Sequence, residues 1–189
     1  MVLKQKKYSL GIWSLQILSE DHVGDDYLKW VRDPEVNEFL FLKNFEHSIE
    51  SLKNYVRISN LSNDRIIFGI YAEDKSHIGN FSLYDINVFN GTFDFGYFIG
   101  EKKFWGTDAG ISACLIGLSI AFEELNLRKT FTYVEKSNLK SRFVLQKIGF
   151  VKEAILKDRV VNYGKLVDSV VYSLDISQWN NSVKLKFQI

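Results

Sequence analysis

Residues 99–110, IGEKKFWGTDAG, decide how this chain is read. They follow an aromatic run, Thr92 to Ile99, whose alternation is that of a strand. Phe93, Phe95, Tyr97 and Ile99 fall on one face, with Asp94, Gly96 and Phe98 on the other. They open into an apolar stretch from about Ala109 to Leu125, with Ile111, Leu115, Leu118, Phe122 and Leu125 at helical spacing. A strand, a glycine-bearing loop and a helix start together make an anion site. Unpaired backbone N–H groups and the positive helix end converge on one spot there. Gly96, inside the strand, marks a bulge or a close backbone approach by a ligand.

Working outward, Ser14 to Leu18 reads as a first strand and Val23 to Trp30 as a helix. Asp33 caps a second helix whose first position holds Pro34, and Ser48 caps a third that runs to about Ile58. Arg65 to Tyr71 and His77 to Tyr84 are strands, and Asn90-Gly91 is a turn before the aromatic run. Beyond the long helix lie a strand at Thr130 to Val134, a helix at Leu139 to Ile148 stopped by Gly149, and late strands near Phe150 to Leu156 and Val167 to Ile176. The order predicts an α/β (α+β) fold of about seven strands with helices on both faces. No linker or repeat interrupts residues 1–189, which reads as one domain.

Composition narrows the function classes. The 189 residues are 46% hydrophobic with a formal net charge of +1, which gives no electrostatic reason to expect nucleic-acid or membrane binding. Lys4, Lys6 and Lys7 read as a solvated end. Cys114 is the one cysteine and reads as a buried structural thiol. His22, His47 and His77 show no metal-ligand spacing and each reads as a surface residue, so no metal is expected. No signal peptide or membrane span is visible, and a cytoplasmic protein is the expectation.

Several motifs in this order resemble the GCN5-related N-acetyltransferases. Ile99-Gly100-Glu101, Phe104-Trp105-Gly106 and a helix ending Ala121-Phe122-Glu123-Glu124-Leu125 look like the family's acetyl-CoA motif. Asn138-x-x-Ser141 with Lys147-Ile148-Gly149-Phe150 resembles the next motif, and Asp168 to Leu174 the closing strand. The opening Trp30-Val31-Arg32-Asp33-Pro34-Glu35-Val36 resembles the branch holding ribosomal-protein and amino-sugar acetyltransferases. The resemblance implies a mixed, mostly antiparallel sheet, acetyl-CoA as co-substrate and an amine acceptor, either a small molecule or a peptide N-terminus.

It also implies roles. Trp105, Gly106, Thr107, Asp108, Ala109 and Gly110 would hold the pyrophosphate, Phe98, Ile99 and Gly100 the pantetheine arm by strand-like pairing, and Asn138 one further amide of that arm. Asn138 has a second reading as a helix cap. Asp108 departs from the family, which carries glycine there. As a strong cap its carboxylate would occupy the amides a phosphate wants. A second anion ~5 Å away costs roughly 1 to 3 kcal/mol, about fivefold to a hundredfold in affinity. The alternative turns Asp108 away and leaves Gly106 and Gly110 to serve the anion.

Transfer to an amine needs a base, for which Asp94 and Glu101 are the candidates, and an acid for the departing thiolate. Relatives often use a tyrosine where Leu145 stands. Ser141, one turn earlier, becomes the candidate acid, with Tyr133 and Tyr172 in reserve. Trp30, Phe39 and Phe41 fall where the branch forms its acceptor side, although core packing is the stronger reading for each. The leading expectation is transfer to the amine of an amino sugar or sugar nucleotide by direct attack. The alternatives are a ribosomal-protein-type N-terminal acetyltransferase and a non-catalytic CoA-binding or assembly module. Exposed strand edges leave homodimerisation open.

Overall fold

The computed structural model describes Leu3 and residues 7–189. Eight strands among them form one sheet in the order β1-β2-β3-β4-β5-β6-β8-β7. They are β1 (Lys7–Leu10), β2 (Trp13–Ile17), β3 (Ile66–Tyr71), β4 (His77–Asn87), β5 (Thr92–Ile99), β6 (Lys129–Glu135), β7 (Val151–Asn162) and β8 (Lys165–Asp175). All neighbours are antiparallel except β5 and β6. The helices are α1 (Asp25–Arg32), α2 (Pro34–Asn37), α3 (Ile49–Leu61), α4 (Ala109–Ser119), α5 (Leu139–Ile148), α6 (Ile176–Gln178) and α7 (Lys184–Phe187).

Local chemistry sets most boundaries where the sequence places them. Asp33 Oδ1 accepts from the N–H groups of Glu35 and Val36 with Pro34 behind it. Ser48 and Ser51 cap α3 reciprocally. Gly149 ends α5 at φ +124°, a conformation that side chains resist. The expectation of about seven strands falls one short. The missed strand, β1, is four residues with too little apolar alternation to announce itself, and Gly11 at φ +58° turns it back onto β2. Lys7 opens that strand, while Lys4 and Lys6 lie outside the described residues.

The long helix is also shorter than its apolar pattern. α4 stops at Ser119 and the chain continues as a π turn, Ile120–Glu124, in which Leu125 N–H reaches Ile120 O over five residues.

Two cores cover opposite faces of the sheet, as β3 shows. Its Ile66, Phe68 and Ile70 join the α4 and α5 core, while Ile67 joins α1 and α3 on the other side. α4 lies so close to the sheet that a Cβ on Gly117 would stand 2.1 Å from Phe81 Cζ. Phe81 in turn stacks on Phe95 at 5.7 Å, and full burial of each ring contributes roughly 1.5–3 kcal/mol. On the second face, Trp30 packs over Gly100, where a Cβ would fall 2.1 Å from the indole. This contact fastens α1 to the end of β5. Among the described residues, no helix is long and apolar enough to cross a membrane.

Candidate active site

The site begins where the sheet opens. β5 and β6 pair only at Thr92↔Lys129 and Phe93↔Thr130. From Asp94 onward, no backbone pairing joins them, although β6 continues against β8 as far as Glu135↔Ser169. Ladder parity shows which groups face the opening. Gly100 N–H donates to Ile78 O of β4, whereas Gly91 O, two residues before Phe93, accepts from Arg128 N–H on the β6 side. Odd-numbered residues of β5 therefore turn their backbone toward β6. Phe95 O is taken there by Thr132 Oγ1 at 3.2 Å and Ile99 O by Trp105 Nε1 at 2.8 Å. The N–H and C=O of Tyr97 and the N–H of Ile99 are left facing the opening, an unused strand edge inside the protein. Phe98 and Gly100, expected to pair with the arm beside Ile99, are corrected: their backbone turns to β4, where Gly100 N–H is already spent on Ile78 O.

At the end of β5 the loop 99–110 folds as its composition requires. Glu101 starts a 3-10 turn, Lys102–Phe104, and Gly106 follows at φ +79°. Thr107 Oγ1 accepts from Ala109 N–H at 3.3 Å. The N–H groups of Trp105 and Thr107, expected to hold the pyrophosphate, are spent within the turn on Lys102 O and Phe104 O, so that expectation is corrected. Among the described residues, the N–H groups of Gly106, Asp108, Gly110 and Ile111 have no acceptor, which leaves donors clustered at the start of α4. Asp108 does not cap that helix. Its Oδ1 accepts instead from Trp13 Nε1 at 2.8 Å, so the capping expectation is corrected. The neutral indole N–H gives the carboxylate a partner away from the amides. Trp13 packs edge-on to Phe104, which holds the indole in place.

The cations near the loop divide. Lys102 is tied to Asp33 at 2.7 Å and to Glu35, which fastens the α1–α2 junction to the loop. Arg142 is committed to Lys136 O at 2.8 Å. Lys140 hangs over the Trp105 ring at 4.7 Å, and this contact brings the start of α5 to the loop. There Asn138 Oδ1 accepts from Ser141 N–H at 3.1 Å, so Asn138 does cap α5.

Asp94 and Glu101 are not together. Seven residues of extended chain, roughly 20 Å, separate them. Asp94 is buried at the apex of the opening with 7% exposure, and burial pushes its carboxyl up to about 7. Phe95 N–H and the nearby Thr132 and Tyr84 hydroxyls favour the ionised form and temper that rise. Glu101 stands at the far end, where its N–H bonds to Ile78 O.

The reserves also separate. Tyr172 is fully buried, its hydroxyl taken by Arg142 Nε, which removes it from the opening. Tyr133 is half exposed on the same sheet face as Asp94. Leu145 is core. Cys114 is fully buried, as expected, and burial raises its thiol well above the usual range.

Three placements were not legible in the sequence. Tyr97 reaches from β5 to Gly110 and Ser141, and burial keeps its phenol protonated. Its place in the strand alternation was visible, but its partners lie 13 and 44 residues away. His77 is no surface residue. It packs among Tyr71 at 5.2 Å, Trp30 at 5.1 Å and Tyr27 at 6.3 Å, and burial lowers its imidazole pKa. Phe41 overturns its core reading at 76% exposure, set edge-on to Phe45. Trp30 does belong to the core.

Comparison with known proteins fits this geometry. YdaF of Bacillus subtilis (strain 168), whose name places it provisionally among ribosomal N-acetyltransferases, is 35% identical over 106 residues, 56% of this chain and 57% of its own length. The match thus spans little more than half of that relative. A spermidine N-acetyltransferase from Vibrio cholerae, solved with CoA and spermine, shares the fold at TM-score 0.82 and 21% identity, covering 89% of this chain and 98% of its own. RimL, a ribosomal L7/L12 α-N-protein acetyltransferase solved with coenzyme A, does so at TM-score 0.82 and 17% identity, covering 90% and 98%. A family model described as an acetyltransferase (GNAT) domain matches residues 15–151, and with the opened β5–β6 pair this chain belongs to the GNAT acetyltransferases, acyltransferases that use acetyl-CoA as co-substrate.

Proposed function

We propose that this chain is an N-acetyltransferase that moves an acetyl group from acetyl-CoA to a primary amine by direct attack in a ternary complex. The opening between β5 and β6 carries the reading. A pantetheine arm laid in it would pair with the N–H and C=O of Tyr97 and the N–H of Ile99, as an added strand does. The free amides of Gly106, Asp108, Gly110 and Ile111 would receive the pyrophosphate at the start of α4. Asn138 caps α5 through its oxygen and keeps its Nδ2 for the arm.

The chemistry then needs one proton removed and one supplied. The amine nitrogen attacks the thioester carbonyl, the C–S bond breaks, and the sulfur leaves as a thiolate. Asp94, half ionised near neutral pH, takes the ammonium proton directly or through water. Ser141 gives a proton to the thiolate, with the Tyr97 phenol against it.

None of the named relatives supports the amino-sugar acceptor that the opening segment suggests. The names of YdaF and RimL favour a ribosomal acceptor, and that of RimL a protein α-amine. Thermal unfolding with millimolar acetyl-CoA is the first test. Ligand at about 100 times its dissociation constant adds ~2.7 kcal/mol, a rise of several degrees for a chain of this size. Absence of any shift contradicts the reading. A shift without thiol release across amino sugars, polyamines and N-terminal peptides favours the non-catalytic module instead.

A further inference from the structure

The acceptor's chemistry is legible in a cavity that the sequence does not announce. The β7–β8 hairpin runs past its expected ends and turns at Tyr163 and Gly164, both at positive φ. Its tip meets the segment after α2. Between them lies a cavity of about 320 Å³ lined by Arg32, Lys43, Tyr163, Gly164 and four further uncharged residues.

A chain of hydrogen bonds ties this cavity to the opened strands. Lys43 Nζ donates to Asn162 Oδ1, Asn162 Nδ2 donates to Glu135 Oε2 at 2.7 Å, and Ser137 Oγ donates to Glu135 Oε1 at 2.6 Å. Glu135 ends β6 just before Asn138. By the pairing of Phe93 with Thr130, its side chain shares a sheet face with Asp94.

The cavity's charge is one-sided. None of its lining residues is acidic, and two are cations. Arg32 donates to His47 O, and Lys43 donates to Glu38 O and Asn162 Oδ1, so both are held by neutral acceptors. Among the described residues, no carboxylate lies within 4.0 Å of either, whereas Lys102, Lys129, Lys136 and Lys184 each have at least one. Guanidinium and ammonium groups retain N–H donors beyond those used here. The Lys43 ammonium also rests 4.8 Å from the Tyr163 ring centroid, which fixes it over the cavity mouth. A polyamine brought here would meet like charge, while a carboxylate or phosphate would meet opposite charge in a partly enclosed space.

We propose that the amine acceptor carries an anionic group, a carboxylate or a phosphate, and that this cavity receives it with Arg32 and Lys43 as counter-ions. The proposal rests on the acetyltransferase reading above and adds the acceptor's charge to it. For a protein α-amine, the anion would be an acidic side chain near the N-terminus. For a sugar amine it would be a phosphate.

Binding to the full chain saturated with coenzyme A tests this by calorimetry, because the cofactor then fills the other anion site. Two matched pairs of probes separate the sources. One is glucosamine 6-phosphate against glucosamine. The other is an amidated tripeptide with aspartates at its second and third positions against one with lysines there. The expected result is a preference of about tenfold or more for the anionic member of at least one pair, the usual scale for a charge facing its counter-ion. Arg32→Gln with Lys43→Gln should abolish that preference and leave coenzyme A affinity unchanged. Arg32→Gln alone, at a more exposed position, should halve its logarithm. Equal or tighter binding of the uncharged and lysine probes overturns the proposal, as does a preference that survives in the double variant. Failure of coenzyme A itself to bind overturns the acetyltransferase reading beneath it.

Discussion

The two edges of β6 carry the same strand chemistry to opposite ends. Toward β8, seven residues from Lys129 to Glu135 have partners, and the ladder is closed. Toward β5, pairing ends after Phe93↔Thr130, and the backbone of Tyr97 and Ile99 is left with an unused edge. The closed edge lies over a core that includes Val170, Tyr172 and Leu174. The open edge holds Asp94 buried at its apex and Tyr97 further along, with Ser141 against the Tyr97 phenol. A single strand thus divides a region built for stability from a region left unsatisfied for a ligand. Unpaired backbone inside a protein is costly unless something completes it, and a peptide-like arm would complete it.

That contrast can be broken from either side. The largest effect should come at the apex. Asp94→Asn should lower kcat/KM about a hundredfold, the scale of one lost general base. In the parent protein, kcat/KM should rise with pH through about 7, where Asp94 ionises, and the variant should lose that limb. The same group gives a stability signature of opposite sense. Its folded pKa is raised above the ordinary 3.8, so the folded state holds a proton that the unfolded chain has released. Stability should therefore fall as pH rises from about 4 to about 7, by up to ~4 kcal/mol, and Asp94→Asn should remove that fall. Chemical denaturation across the range from pH 4 to pH 8 measures both. A flat pH profile for parent and variant alike would remove Asp94 from the mechanism.

On the closed edge, Leu174→Ala should cost about 2–5 kcal/mol in unfolding free energy, as a fully buried leucine does. Acetyl-CoA affinity should change little in that variant. A comparable loss of affinity would mean that the two edges are not separate regions. Ser141→Ala should lower kcat about tenfold with little change in the KM for acetyl-CoA, the pattern of a group acting only in the transition state. Loss of binding alone would reassign Ser141 to holding the arm. The smallest effect belongs to Asp108. With its carboxylate on Trp13, Asp108→Asn should move acetyl-CoA affinity less than about twofold, well below the cost of a facing anion. A gain of tenfold would place the carboxylate against the pyrophosphate.

Much of the fold was legible because its signals are local. Strand alternation in Thr92 to Ile99, caps at Asp33, Ser48 and Asn138, and the Gly149 stop each act within a few residues. The order of elements along the chain followed from them, and the loop and helix motifs carried the acetyltransferase resemblance. The open region was legible only in outline. That Asp108 would choose the Trp13 indole over its own helix depends on a residue 95 positions away. His77 reads as a surface residue until Tyr27, Trp30 and Tyr71 surround it. The cavity beside Arg32 required the β7–β8 hairpin to be six residues longer at one end than Leu156, where apolar patterning fades. One signal there was readable. Asn162-Tyr163-Gly164 between valine-rich runs is a hairpin turn sequence, and the structure turns there.

Amide hydrogen exchange, read residue by residue with and without acetyl-CoA, tests the central claim most directly. In the free protein, the amides of β6 that pair with β8 should already exchange slowly, and those of Tyr97 and Ile99 much faster. Saturating acetyl-CoA should slow Tyr97 and Ile99, together with Gly106, Gly110 and Ile111, by about tenfold or more, while the β6–β8 ladder changes little. Protection of the loop amides without Tyr97 and Ile99, or slow exchange at those two positions before any ligand is added, would contradict the account.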